Sequence, residues 1–266
     1  MRRVNLPELN DQPWCPRLFR DTATDILRFT SVKTNLYGPI LPKLKSVLQA
    51  LGCHDILDLC SGGTGPILLI QEQLDREHYP VKVTLSDKFP NIAAFEEAVE
   101  ESRCPVSFIE EPVDATNVPE GLRGFRTLFA SFHHFRPAEA RGILEDAARK
   151  REGIGIFEFT GRNPGIWLIM LISPLYFMLF MPFIKPFSWW KIFWTYIIPL
   201  FPLVGMWEGL ASNMRTYSPE ELKELVRGID VEDYAWDIGI VDGTWDIGRI
   251  HHSGLHKITY LLGYPT

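Results

Sequence analysis

Two adjacent histidines, His133 and His134, and a later carboxylate, Glu158, are the groups best equipped to move a proton. A base within hydrogen-bond reach helps when a hydroxyl or carbon acid must react. In a tandem pair one ring tends to face the site and the other the protein. His133 is therefore expected nearer the bound ligand, with His134 as the base, unless both rings only shape the pocket wall. Glu158 is expected to orient a partner such as Arg162 or a residue of the N-terminal helices. A second group of residues suits binding. Asp58-Leu-Cys-Ser-Gly-Gly-Thr-Gly65 places Gly62, Gly63 and Gly65 after an apolar run and before another, Ile67–Ile70. Glycines permit close backbone approach, and a following helix offers its free N–H groups to a polar or anionic ligand. Asp87, followed by Lys88, lies about 20–30 residues beyond the glycines, near the spacing of an acid that binds ribose hydroxyls. Asp114-Ala115 is placed to meet an adenine edge.

These positions fall at the ends of expected strands. Apolar runs predict strands over Asp55–Cys60, Val81–Ser86, Val106–Glu110, Arg126–Ser131 and Gly153–Phe159. Helical patterns over Gly65–Arg76, Asn91–Ser102 and Pro137–Lys150 alternate with them, so the expected class is α/β, with a doubly wound, mostly parallel sheet. Two helices precede it, Leu18–Val32 and Leu41–Leu51, the second stopped by Gly52. Near the end, Ser218 and Glu221 form a capping pattern for a helix through Val226. Two last strands are expected around Val231–Ile240 and Lys257–Leu262, separated by a Gly- and His-rich loop. That loop holds His251, His252 and His256, and with Asp246 they invite a metal reading. Gly254 argues for a solvated loop instead, and no metal is expected.

The constellation Asp58–Gly65, Asp87, Asp114-Ala115 and Phe132-His-His134 resembles the class I S-adenosylmethionine (SAM)-dependent methyltransferases over roughly 51–160, and more weakly over 216–265. The resemblance implies a seven-stranded sheet and SAM as the cofactor. It implies that Asp58, Cys60 and the turn Ser61, Gly62, Gly63 and Gly65 hold the amino-acid part, that Asp87 with Lys88 meets the ribose, and that Asp114 and Ala115 meet the adenine. Two departures stand out. The loop from Asp58 to Gly65 is one residue longer than the usual pattern, and Cys60 stands where a first glycine is common. Which of the three glycines touches the ligand stays open on this reading. A nicotinamide dehydrogenase would want G-x-G-x-x-G, whereas Pro66 and apolar residues follow Gly65 here.

Composition bounds the rest. The 266 residues, 46% hydrophobic and with a net charge of -6, suit a globular domain and argue against a nucleic-acid surface. Cys15, Cys53, Cys60 and Cys104 form no C-x-x-C pair, which fits a reduced, cytoplasmic chain. Met1–Asn10 lacks the apolar core of a secretory signal. The expected units are an N-terminal helical cap (1–50), the SAM-binding core (51–163), an apolar insert (164–207), and a helix with closing strands (208–266). Ile166–Ile184 carries no charge, and Pro186–Trp207 only Lys191. Interior prolines and the interfacial Trp189, Trp190, Trp194 and Trp207 favour shallow monotopic insertion over a crossing hairpin. A lid or a homodimer contact is the alternative. The expected function is methyl transfer from SAM to a small hydrophobic or lipid-like acceptor, at oxygen or carbon, at a membrane surface. The alternative is a SAM-binding sensor or interaction module without transfer activity.

Overall fold

The computed structural model describes residues 1–162, 164–247 and 250–266; the side chains of 164, 244–247 and 250–256 lie outside the description. Five short strands, β1 (Asp55–Asp58), β2 (Lys82–Leu85), β3 (Val106–Phe108), β4 (Phe125–Phe129) and β5 (Ile154–Glu158), pair in parallel in the order 3-2-1-4-5. β7 (Ile250–Pro265) pairs antiparallel with β5, and β6 (Tyr234–Ile247) closes the seven-stranded sheet beside it. The order turns at β1 and β4, so ligand-binding loops collect at the carboxyl ends of those strands.

Alternation along the strands assigns the two faces. Ile56, Val83, Phe125 and Phe157 belong to one buried cluster, with Leu44 and Leu48 of α2 (Leu41–Leu51) and Ile70 and Leu74 of α3 (Ile67–Arg76). Leu57, Leu128 and Ile156 point the other way, onto Ile143, Leu144 and Ala147 of α5 (Pro137–Arg149). α4 (Ile92–Glu101) adds Phe95 to the first cluster. The expected stops and starts appear as drawn: Gly52 ends α2 at a φ of 58°, and Ser218 and Glu221 form a reciprocal capping box on α9 (Pro219–Val226).

The core strands are shorter than expected, each by one or two residues, because the chain leaves the sheet to build the loops of the site. The closing strands differ more. β6 and β7 run on together to Ile247 and Ile250, so the backbone of the expected Gly- and His-rich loop is strand instead. Beyond β5 that hairpin pairs only with itself, and cross-strand hydrogen bonds override the local glycine and polar content. The side chains of the metal reading, Asp246, His251, His252 and His256, lie outside the described residues.

The insert is helical. α6 (Pro164–Phe180) contains Pro174, α7 (Trp189–Ile192) leads into a π-helical turn (Phe193–Ile197), and α8 (Leu200–Arg215) returns to the core. α8 runs unbroken across the boundary expected at 207. The first helix, α1 (Arg17–Lys33), packs on the insert: Ile26 is buried with Met181, Ile184 and Phe201. Lys191 belongs to this interior. Its ammonium meets Asp25 at 2.7 Å, so of the two insert lysines only Lys185 is exposed.

Candidate functional site

At the end of β1 the chain turns sharply, and the turn is held from three sides. The Asp58 carboxylate accepts from Thr127 Oγ1 at 2.6 Å and from Ser61 Oγ at 2.7 Å. Ser61 N donates to the Ser86 carbonyl at 3.0 Å. Gly62 N donates to Asp87 Oδ2 at 2.8 Å, while Phe89 N donates to Asp87 Oδ1 at the same distance. Asp87 thus ties the glycine turn to the end of β2, and each of its oxygens retains a lone pair for a further donor.

The backbone here is strained in a pattern that ligand sites favour. Gly62 and Gly65 have φ values of 54° and 48°, and so do non-glycine residues: Cys60 at 58°, Thr64 at 76° and, at the end of β4, Ala130 at 47°. The departure noted at Cys60 therefore sits in the left-handed region where glycine is easiest. Burial pushes its thiol pKa upward, aided by Asp87 and Asp58, so the sulfur stays a neutral thiol. Burial likewise raises the Asp58 carboxyl to about 7 despite its two hydroxyl donors.

Lys88 and Asp114 meet at 2.7 Å on the rim, and Asp114 Oδ1 accepts from Thr116 N and Oγ1. Burial would raise Asp114, but Lys88 and Thr116 hold it below the ordinary carboxylate value. Ala115 is buried behind it. The expected cofactor residues thus occupy the loops after β1, β2 and β3. Asp58, however, faces Thr127 and Ser61 and shapes the turn from beneath.

The histidines form a short 3₁₀ turn, Phe132–His134, after β4. His133 is buried. Its backbone N–H donates to Glu158 Oε1 at 3.1 Å and its Nδ1 lies 2.9 Å from Glu158 Oε2. Burial would raise Glu158, but His133 outweighs it and holds the carboxylate below its usual value. The carboxylate at Nδ1 fixes the orientation of the ring and aims Nε2 away from Glu158. That Nε2 has no hydrogen-bond partner among the described residues and lies 3.9 Å from Glu8 Oε1. Glu158 therefore orients His133, and the partner expected for it, Arg162, pairs with Glu221 of α9 instead.

His134 is a different group. Its Nδ1 lies 2.6 Å from Asp11 Oδ1 and 3.6 Å from Glu8 Oε2. Burial would lower its pKa, yet Glu8 and Asp11 raise it to about 9, and the pairing drives Asp11 down to about 2 against its own burial. At neutral pH His134, raised to about 9, is an imidazolium with no free basic nitrogen. Arg215 fastens the whole arrangement, contacting Glu8 at 3.1 Å and Asp11 at 2.6 Å and donating to the carbonyls of His133 and His134. Glu8, Asp11 and Arg215 carry no local signal; the folded N-terminal arm brings the first two here and the end of α8 brings the third. The donor atoms of Glu8, His133 and His134 lie within 4.8 Å of one another. A guanidinium on Glu8 and a protonated His134 set that pocket against a metal cation.

No protein-family model and no curated protein matches the chain. Solved structures do. The structure reported as "Crystal Structure Analysis of LaPhzM" is 14% identical and superposes with a TM-score of 0.51 over 97% of this chain and 60% of its own. The plantazolicin methyltransferase BpumL is 13% identical, with a TM-score of 0.49 over 97% of this chain and 88% of its own. A structure from echinomycin biosynthesis, 14% identical, gives 0.45 over 84% and 80%. At such identities the likeness is one of fold.

Proposed function

Starting from the class I methyltransferase fold of this chain, we propose that it is a SAM-dependent methyltransferase acting on an apolar, lipid-like acceptor. The observation that carries the reading is His133: a buried imidazole oriented by Glu158, with a free Nε2, at the end of the strand adjoining the glycine turn. An unpartnered buried hydroxyl at the same edge, Thr64 Oγ1 in the turn, fits a polar ligand. So do the lone pairs left on Asp87. SAM, when bound, supplies a methyl group already activated on a sulfonium. Ser61, Gly62, Gly63 and Gly65 would approach its amino-acid part, Asp87 its ribose, and Asp114 with Ala115 its adenine. The protein's work is then to align the acceptor and remove its proton. His133 Nε2 takes that proton, and the Glu158 carboxylate stabilises the imidazolium that results.

The insert supports the acceptor class. A 19-residue helical stretch, Gly165–Phe183, is long and apolar enough to cross a membrane, yet only 6% of it is buried. Leu175 is 66% and Trp189 77% exposed, with Leu168, Leu179, Phe183, Phe187 and Trp190 also in solvent. Residues 164–207 contain no acidic side chain. Exposed tryptophans beside Lys185 suit the headgroup boundary of a bilayer, with the helices lying in the interface.

The test uses labelled SAM and a detergent-free lipid extract. Wild-type protein should transfer label to an organic-soluble product, and His133→Ala should lower that rate by about 10²–10⁴-fold with SAM affinity intact. Binding of SAM without any labelled product, across extracts and with vesicles present, favours the sensor reading. In calorimetry Asp87→Ala should weaken SAM, and an unchanged affinity would count against the ribose assignment.

A further inference from the structure

The helix α1 touches both parts of this proposal, and we infer that it couples them: docking of the insert on a lipid surface tightens cofactor binding at the glycine turn, through α1 and the Asp25–Lys191 pair. The inference rests on the SAM and lipid readings above.

One side of α1 lies on the turn. A Cβ placed on Gly62 would come 2.9 Å from Thr24 Cγ2, and one on Gly63 would come 3.3 Å from Thr24 Oγ1 and 3.4 Å from Asp25 N. Arg20 extends the contact to the next loop, its guanidinium 4.0 Å over the ring of Phe89, two residues past Asp87. The other side lies on the insert. Asp25 Oδ2 accepts from Lys191 Nζ at 2.7 Å, and the Thr30 and Tyr176 hydroxyls meet at 2.8 Å. Phe19 packs its ring 4.7 Å from that of Phe201, and Phe29 packs 5.9 Å from Phe180. Consecutive residues, Thr24 and Asp25, thus bear on the turn and on the insert.

The link between them is a poor rivet. A buried ion pair holds well only when its remaining valences are filled. Lys191 has a second acceptor, the Pro186 carbonyl at 2.9 Å, but Asp25 Oδ1 is buried with no hydrogen-bond partner. Such a contact can give as the insert shifts. The insert presents its apolar face to water until a bilayer covers it, so the bilayer is the ligand with different affinities for the loose and the ordered insert. Ordering the insert orders α1 over the turn, and the cofactor then binds without bearing that cost.

Titration calorimetry of SAM into the full chain, with and without phosphatidylcholine vesicles, reads the coupling. Flotation of the chain with those vesicles, with and without SAM, reads it in reverse. Wild type should bind SAM at least about fivefold more tightly with vesicles, and SAM should tighten vesicle binding by the same factor, as linkage requires. The double variant Asp25→Asn, Lys191→Met replaces both charges by neutral groups of similar size. It should bind each partner separately while the factor falls below about twofold. Wild type that binds both partners with a factor within about twofold overturns the coupling, and so does a double variant that keeps the full factor. Should the double variant fail to fold, the wild-type comparison still decides. Absence of vesicle binding ends this inference and the lipid reading but leaves the SAM reading standing. Absence of SAM binding in either condition ends the SAM reading and this inference together.

Discussion

Neighbouring histidines of the same type make different contacts, and the proposed roles follow those contacts. His133 holds Glu158 at 2.9 Å on Nδ1 and leaves Nε2 3.9 Å from Glu8 without a hydrogen bond, whereas His134 Nδ1 lies 2.6 Å from Asp11 and 3.6 Å from Glu8. The difference can be titrated. His134, raised to about 9, contributes stability that is complete below its unfolded value near 6.5 and is lost as pH climbs through about 9. Asp58 and Glu208, both raised to about 7 by burial, act through the opposite charge but with the same slope. Their folded forms keep protons that the unfolded chain releases near pH 4, so stability falls as pH rises from there to about 7. Melting temperature should therefore decline from about pH 5 to about 9. Asp58→Asn should flatten the limb below about 7, and Asp11→Asn the limb above it; thermal scans across pH check both. The histidine pair and Glu158 were legible in the sequence because they close expected strands. Their division of labour was not, because Glu8, Asp11 and Arg215 reach the site from opposite ends of the chain.

The elements were legible wherever periodicity was strong. Apolar runs and helical repeats placed five parallel strands and their helices to within a few residues, since burial on both faces demands that pattern. Both closing strands were legible, and only the outer extension of the β6–β7 hairpin escaped, because it pairs with itself and not with β5. Short-range chemistry offers two tests. Ser218→Ala removes half of the capping box on α9 and should cost about 1 kcal/mol in denaturant unfolding. Gly62→Ala would put a methyl group 2.9 Å from Thr24 at a φ of 54°. It should lower stability by about 1–3 kcal/mol and weaken SAM as well, because the residue bound by Asp87 must shift. A Gly62→Ala protein with wild-type SAM affinity would detach the turn from the site.

For the whole molecule, the proposed lipid contact rests on the apolar insert. Its charge-free run was plain in the sequence. Its packing was not, because a buried lysine looks like a surface one until Asp25 is found beside it. Trp189→Ser with Trp190→Ser removes two of the most exposed rings on the insert, neither of them in the buried cluster with α1. The variant should keep its melting temperature and its SAM affinity in buffer while its flotation with vesicles drops several-fold. Unchanged flotation would move the lipid contact elsewhere on the insert.

The arm that covers His133 has its own place in time. Arg3 donates to the Arg215 carbonyl across 212 positions of sequence, and Val4 N donates to the Met214 carbonyl. A ribosome adding about 5–20 residues per second delivers that anchor only after the arm has waited ten seconds or more. A segment made long before its anchor is thus among the last to settle. Until it does, the His133 imidazole is formed but uncovered, and a nascent chain halted before Met214 would have His133 without its cover.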